Sequence, residues 1–281
     1  MAGGIRLEIG AVTPNIPKRD IKWRANAPLR PGKEAREAMS TPFNQPRARF
    51  GYGARSVDTA VIDQALRSYM LRVYNLMGSG LALSGIVALA VSQSPSLMQA
   101  IFGSGLAFVV MLAPIGLLLV MSFGVNKLSA PAVQGLYWAF VATMGLSIST
   151  IFMVYTGASI LRIFFITGAM FGAMSLWGYT TKRDLTGMGS FLFMGVIGLV
   201  IAGIVNIFLG SSVLQMAISA ITVLVFTGLT AFDTQRIKSE FYEGDPSDIQ
   251  TKQAVFGAVS LYLNFLNIFM ALLSLFGQRN N

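Results

Sequence analysis

The sequence contains no cysteine and no histidine. Those absences exclude disulfides, thiolate chemistry, imidazole metal ligation and imidazole general-base catalysis. Charge is also scarce: 12% of residues are Asp, Glu, Lys or Arg and 54% are hydrophobic, where a soluble domain carries about 25% charged residues. The composition implies an integral membrane protein. Acids are almost absent from its long apolar runs. The exception is Asp233, which ends one of them in Leu229-Thr230-Ala231-Phe232-Asp233-Thr234-Gln235-Arg236-Ile237-Lys238. A carboxylate taken out of water must be paired, protonated or reached by water, so this residue is the first candidate for function.

The net charge of +9 is unevenly placed, with eleven Lys/Arg against four Asp/Glu in residues 1–55 and ten against eight in the remainder. That N-terminal segment also holds six prolines. Such a composition cannot bury a core and predicts a disordered basic tail, soluble or touching anionic headgroups. It has no apolar core followed by a small-residue cleavage site, so it does not read as a secretory signal. Glu8, Asp20, Glu34 and Glu37 argue against an organelle transit peptide. From Ser56 to Tyr69, apolar residues at helical spacing predict an amphipathic lead-in at the membrane surface.

Seven apolar runs of membrane-spanning length follow: 69–91, 101–123, 132–155, 160–179, 189–209, 213–232 and 254–276. Each is long enough to cross the hydrocarbon as helix, and the short links between them predict a compact antiparallel bundle. The domain organisation is therefore a tail, 1–55, and an all-α seven-transmembrane-helix domain, 56–281. The first, third and fifth links carry no Lys or Arg, whereas the second holds Lys127, the fourth Lys182 and Arg183, and the sixth Arg236, Lys238 and Lys252. The positive-inside rule then places the N-terminus in the cytoplasm and the C-terminus outside. Pro114 should kink the second run. Gly168 and Gly172, a GxxxG on the fourth, predict close helix packing. Arg162, just inside the fourth run on the uncharged side, reads as a snorkelling side chain or a cation gate at the outer mouth.

Several motifs, in order, resemble the Bax inhibitor-1 family in its bacterial YccA-like branch. They are Phe165-Ile166-Thr167-Gly168-Ala169-Met170-Phe171-Gly172-Ala173-Met174-Ser175, Tyr179-Thr180-Thr181-Lys182-Arg183-Asp184-Leu185, Phe232-Asp233-Thr234-Gln235 and Leu261-Tyr262-Leu263-Asn264-Phe265-Leu266-Asn267. The likeness covers about residues 56–278. It implies six helices around a central seventh and a pH-sensitive calcium leak. It also implies an aspartate pair on the sixth and seventh helices, latched shut by an arginine from the second. Asp233 matches the first aspartate. Asn264 stands where the second is expected, and no charged residue lies between Ile101 and Asn126.

An Asn keeps hydrogen-bonding capacity and a carbonyl for a hard cation but cannot titrate. Two carboxylates sharing a proton form a pH sensor; Asp233 with Asn264 loses the like-charge contribution, so gating should weaken or move towards acid. Arg236, three residues after Asp233, shares its helical face and can pair with it locally. Asn267, Thr230 and Asn206 are accessory polar candidates. The acids Glu240, Glu243, Asp245 and Asp248 in the sixth link either collect cations at the mouth or form a solvated loop, and they lack EF-hand spacing.

Two readings follow. One is a cation (calcium) leak across the inner (plasma) membrane. The other is a non-conducting interaction protein modulating a membrane protease complex, as the family's association with FtsH implies. An intramembrane enzyme is set aside, since an aspartyl mechanism needs two membrane acids. Expected partners are the lipid bilayer, calcium ions and a membrane protease complex; no cofactor, metal site or nucleic acid is expected. A reporter fused after Asn281 should read as external; a cytoplasmic reading would mean that one run does not span.

Overall fold

The computed structural model describes residues 52–280, with side chains from Asp63 onward. The predicted tail lies outside them except for its last four positions, which already belong to the first helix. The elements are α1 Tyr52–Ser92, α2 Pro95–Phe102, α3 Leu106–Gly124, α4 Ala130–Ile148, α5 Ile151–Val154, α6 Gly157–Thr180, α7 Thr186–Leu209, α8 Ser212–Glu240 and α9 Ser247–Phe276. Seven stretches are long and apolar enough to cross a membrane: Asp63–Ser92 of α1, Ala130–Val154 across α4 and α5, and the whole of α3, α6, α7, α8 and α9. The protein is an all-α membrane bundle.

The last helix is the innermost. In its most apolar window 61% of residues are buried, against 11% in α3 and none in α7. Hydropathy does not explain this, because α3 and α7 are more apolar and less buried; an innermost last helix is what the resemblance implied. Val255, Ala258, Leu261, Tyr262, Ile268 and Leu273 of α9 are fully enclosed. Helices α8, α1, α6 and α4 pack directly on it, while α3 leans mainly on α4 and α7 on α8. The outward residues of α7, including Phe191, Met194, Ile197 and Phe208, are exposed, as a lipid-facing surface requires.

Several polar groups inside the bundle find partners in other helices. Pro114 lies within unbroken α3 and has no N–H to offer the carbonyl one turn earlier. That carbonyl, Val110 O, instead accepts from Ser147 Oγ of α4 at 2.7 Å. Ser84 Oγ of α1 lies 2.6 Å from both Val141 O and Tyr262 OH. Tyr137 OH donates to Leu76 O at 2.6 Å. These bonds tie the first, third and last spans together.

At the basic side, lysines close helix ends. Lys238 Nζ of α8 donates to Tyr179 O near the end of α6 at 2.9 Å, and Lys252 Nζ of α9 donates to Val125 O, just past α3, at 3.1 Å. A cation suits a helix C-terminus both as a donor and through the macrodipole. At the other side, residues after α9 run back along the link between α5 and α6. Thr156 N donates to Gln278 O and Asn280 N to Val154 O, both at 2.9 Å, and Gln278 N donates to Ser159 Oγ at 3.0 Å.

Several expectations are corrected. The amphipathic lead-in is continuous with the first span, and the helix that holds both, 41 residues long, begins at Tyr52, inside the expected tail. The first link holds α2, an eight-residue helix started by Pro95 and anchored by buried Met98, too short to stand out from the following span by hydropathy. The third span breaks between Ile148 and Ile151. The sixth link shrinks to residues 241–246, because α8 runs on to Glu240 and α9 starts at Ser247. The GxxxG is not packed against a helix: a Cβ on Gly168 or Gly172 would meet nothing within 4 Å. Gly178 makes the close approach instead, since a Cβ there would collide with the backbone of Ala231 in α8. Gly178→Ala should therefore lower stability by about 1–3 kcal/mol, the scale of overpacking. Gly168→Ala should be close to neutral in the same thermal unfolding measurement.

Candidate functional site

Helix α8 presents opposite faces to the other helices, so its basic-side half is enclosed. Leu229, Thr230, Ala231, Asp233, Thr234 and Ile237 are all buried there. Asp233 is 5% exposed, and Asn264 on α9 is 4% exposed. Asn264 Nδ2 donates to Asp233 Oδ2 at 2.7 Å. The two positions singled out in the sequence thus meet across the interface between α8 and the innermost helix.

The other carboxylate oxygen faces Arg236. Its Nη2 lies 2.9 Å from Asp233 Oδ1, one turn along the same helix. The N–H is not aimed along that line, and Oδ1 is left without a hydrogen bond among the described residues. The contact is an ion pair by distance and charge rather than a directed bond. Arg236 Nη2 donates to Ser260 Oγ of α9 at 3.1 Å, and its Nε stands 3.8 Å from Glu240 Oε1. The Arg236 side chain is 36% exposed, so water screens its attraction and limits the pair to about 1 kcal/mol. Its larger effect is to hold a counter-charge beside a carboxylate that has lost most of its water.

The accessory candidates do not join this cluster by hydrogen bonds. Thr230 Oγ1 donates to Phe226 O at 2.8 Å, and Asn267 Nδ2 to Leu263 O at 2.8 Å, each one turn back on its own helix. Asn206 closes the far end of α7, donating to Gln215 Oε1 at 3.1 Å. Arg162 lies on the exposed face of α6.

Other groups had not been singled out. Ser260 stands one turn before Asn264 on the same helical face, a spacing that could have revealed it. Gln235 clamps the link between α6 and α7: its Oε1 accepts from Leu185 N at 2.9 Å and its Nε2 donates to Arg183 O at 2.8 Å. A row of hydroxyls runs from Tyr74 OH to Ser175 Oγ, 2.6 Å, and on to Thr234 Oγ1, 3.0 Å. No sequence signal joins three hydroxyls on three separate helices.

Beside the ion pair an open cleft of about 520 Å³ is lined by Lys182, Arg183, Asp184, Phe232, Gln235 and Arg236. Asp184 accepts from Thr186 N at 2.9 Å and Thr186 Oγ1 at 2.6 Å. These bonds hold its carboxyl below the usual aspartate range, so it stays ionised at the start of α7. Among the described residues, no group of three or more acidic side chains converges to hold a metal ion.

The family model described as "Inhibitor of apoptosis-promoting Bax1" matches residues 66–281. An uncharacterized protein of Rickettsia prowazekii is 43% identical over 219 residues, covering 78% of this chain and 93% of that protein. An uncharacterized protein of Caulobacter vibrioides is 45% identical over 227 residues, covering 77% and 90%. The inner membrane protein YbhL of Escherichia coli K12 is 44% identical over 217 residues, covering 76% and 93%.

Replacing Asn264 by Ala leaves Asp233 Oδ2 buried without a donor. The expected loss is about 1–3 kcal/mol, the penalty of an unsatisfied buried polar group. It is measured as a fall in midpoint on unfolding the detergent-solubilised protein; an unchanged midpoint would mean that water replaces the amide.

Proposed function

The chain belongs to the Bax inhibitor-1 family, and from that membership we propose that it is a cation leak pathway, with calcium as its ion, held shut around Asp233. The supporting observation is the position of that carboxylate, enclosed between α8 and α9 with Asn264 on one oxygen and Arg236 beside the other. A cation entering from the basic side, taken as cytoplasmic, would have to displace Arg236 to reach the carboxylate. The Asn264 amide would then turn its carbonyl oxygen to the ion, a ligand that suits calcium. Beyond the pair the interior is mostly apolar, with the hydroxyls of Ser84 and Tyr262 bonded to each other. Phe152, Ile160, Phe265 and Phe269 enclose a cavity of about 80 Å³, and a hydrophobic constriction of this kind blocks ions by excluding water.

The likeness to YbhL, described as an inner membrane protein, supports the same location for this chain. A second reading draws on the same residues. With Asn at position 264 and no charge between Ile101 and Asn126, two of the three ionisable parts expected from the family are missing. This favours a non-conducting membrane protein that modulates a protease complex.

Calcium flux into proteoliposomes over a range of pH separates the two. The wild type should conduct weakly with little response to pH near neutrality, and Asp233→Asn should abolish the flux. Asn264→Asp restores two carboxylates that share protons, so it should add a pH dependence that the wild type lacks. Silence of both the wild type and Asn264→Asp, in folded protein, would overturn the leak and leave the interaction protein.

A further inference from the structure

Between α1 and α6 lies a groove of about 440 Å³, lined by Arg67, Met70, Tyr74, Phe171, Gly172 and Tyr179 among others. That volume falls within the roughly 300–1,000 Å³ of small-molecule sites. Because both walls are membrane-spanning helices, it opens towards lipid. Gly172, half of the glycine step that was expected to seat another helix, lines it, and a Cβ there would project into empty space.

The groove has a direction. The antiparallel helices place Arg67 level with Tyr179 at the basic end, and Tyr74 level with Phe171 and Gly172 about 10 Å deeper, at 1.5 Å per residue. A second cation adds positive charge near that end without lining the groove: Lys238 Nζ lies 4.7 Å from the centre of the Tyr179 ring while bonding its carbonyl. The charged mouth is thus at interface level, and Met70, Leu71, Phe171 and Leu176 make the depth apolar. This is the polarity of a phospholipid with an anionic headgroup.

We propose that this groove is a binding site for one anionic phospholipid, its phosphate at Arg67 and the upper part of one acyl chain between α1 and α6. Tyr74 and Ser175 line its wall, and Ser175 is bonded in turn to buried Thr234 of the helix that carries Asp233, so an occupying lipid stands one hydrogen bond away from that helix. The site does not depend on whether the protein conducts ions.

Native mass spectrometry of the full chain, with equal amounts of phosphatidylglycerol and phosphatidylcholine added in detergent, tests it. The wild type should retain phosphatidylglycerol several-fold over phosphatidylcholine. Arg67→Gln should remove most of that preference, whereas Arg162→Gln, at the opposite end of α6, should leave it intact. Gly172→Leu should block retention by filling the groove, while its melting temperature in lipid-free detergent stays near that of the wild type. Equal retention of the two lipids by the wild type would overturn the proposal, as would a preference that survives both Arg67→Gln and Gly172→Leu. A lipid-free dimer abolished by Gly172→Leu would overturn it too, by assigning the groove to a second copy.

Discussion

Lipid offers no hydrogen bonds, so each polar group carried into the bundle must be met by protein. Much of the architecture follows from that condition. The carbonyl freed by Pro114 is taken by Ser147, and the ends of two helices are closed by Lys238 and Lys252. Asp233 is the most demanding case, because it brings a charge as well as lone pairs. Its partners come from two directions: an amide on the innermost helix and a guanidinium that reaches back from the water side.

The spans were legible because hydropathy over about twenty residues is a strong signal, whereas the innermost position of α9 came from the resemblance, since α3 and α7 are more apolar and less buried. Element ends were less so. Charged and polar residues extend α8 to Glu240 and start α9 at Ser247; they lowered the hydropathy of turns that remain helical. The glycines show the limit in another way. Gly168 and Gly172 form a pattern, yet Gly178, which belongs to no pattern, makes the close helix contact. Spacing along one helix says which residues share a face, and only the fold says what stands opposite.

At the site, Asp233, Asn264 and Arg236 were all readable, two from motif and one from its offset of three. Their meeting brings into contact residues 31 positions apart on different helices. The basic residues of the links, read first as markers of orientation, have a second use. Lys238 and Lys252 bond carbonyls of neighbouring helices, so these residues also fasten the basic side of the bundle.

The ion pair at the site is drawn from a single helix, and this sets its mechanics. A bridge between two helices lengthens whenever they tilt or slide apart, so it senses the shape of the bundle. Asp233 and Arg236 ride on the same rigid rod, and no movement of α8 as a body can separate them. Their contact yields only when the arginine side chain swings to another rotamer, whereas the bond from Asn264 registers relative motion of α8 and α9. The two are coupled, because Arg236 Nη2 is also bonded to Ser260 of α9, so sliding of α9 along α8 pulls on the arginine as well as on the amide.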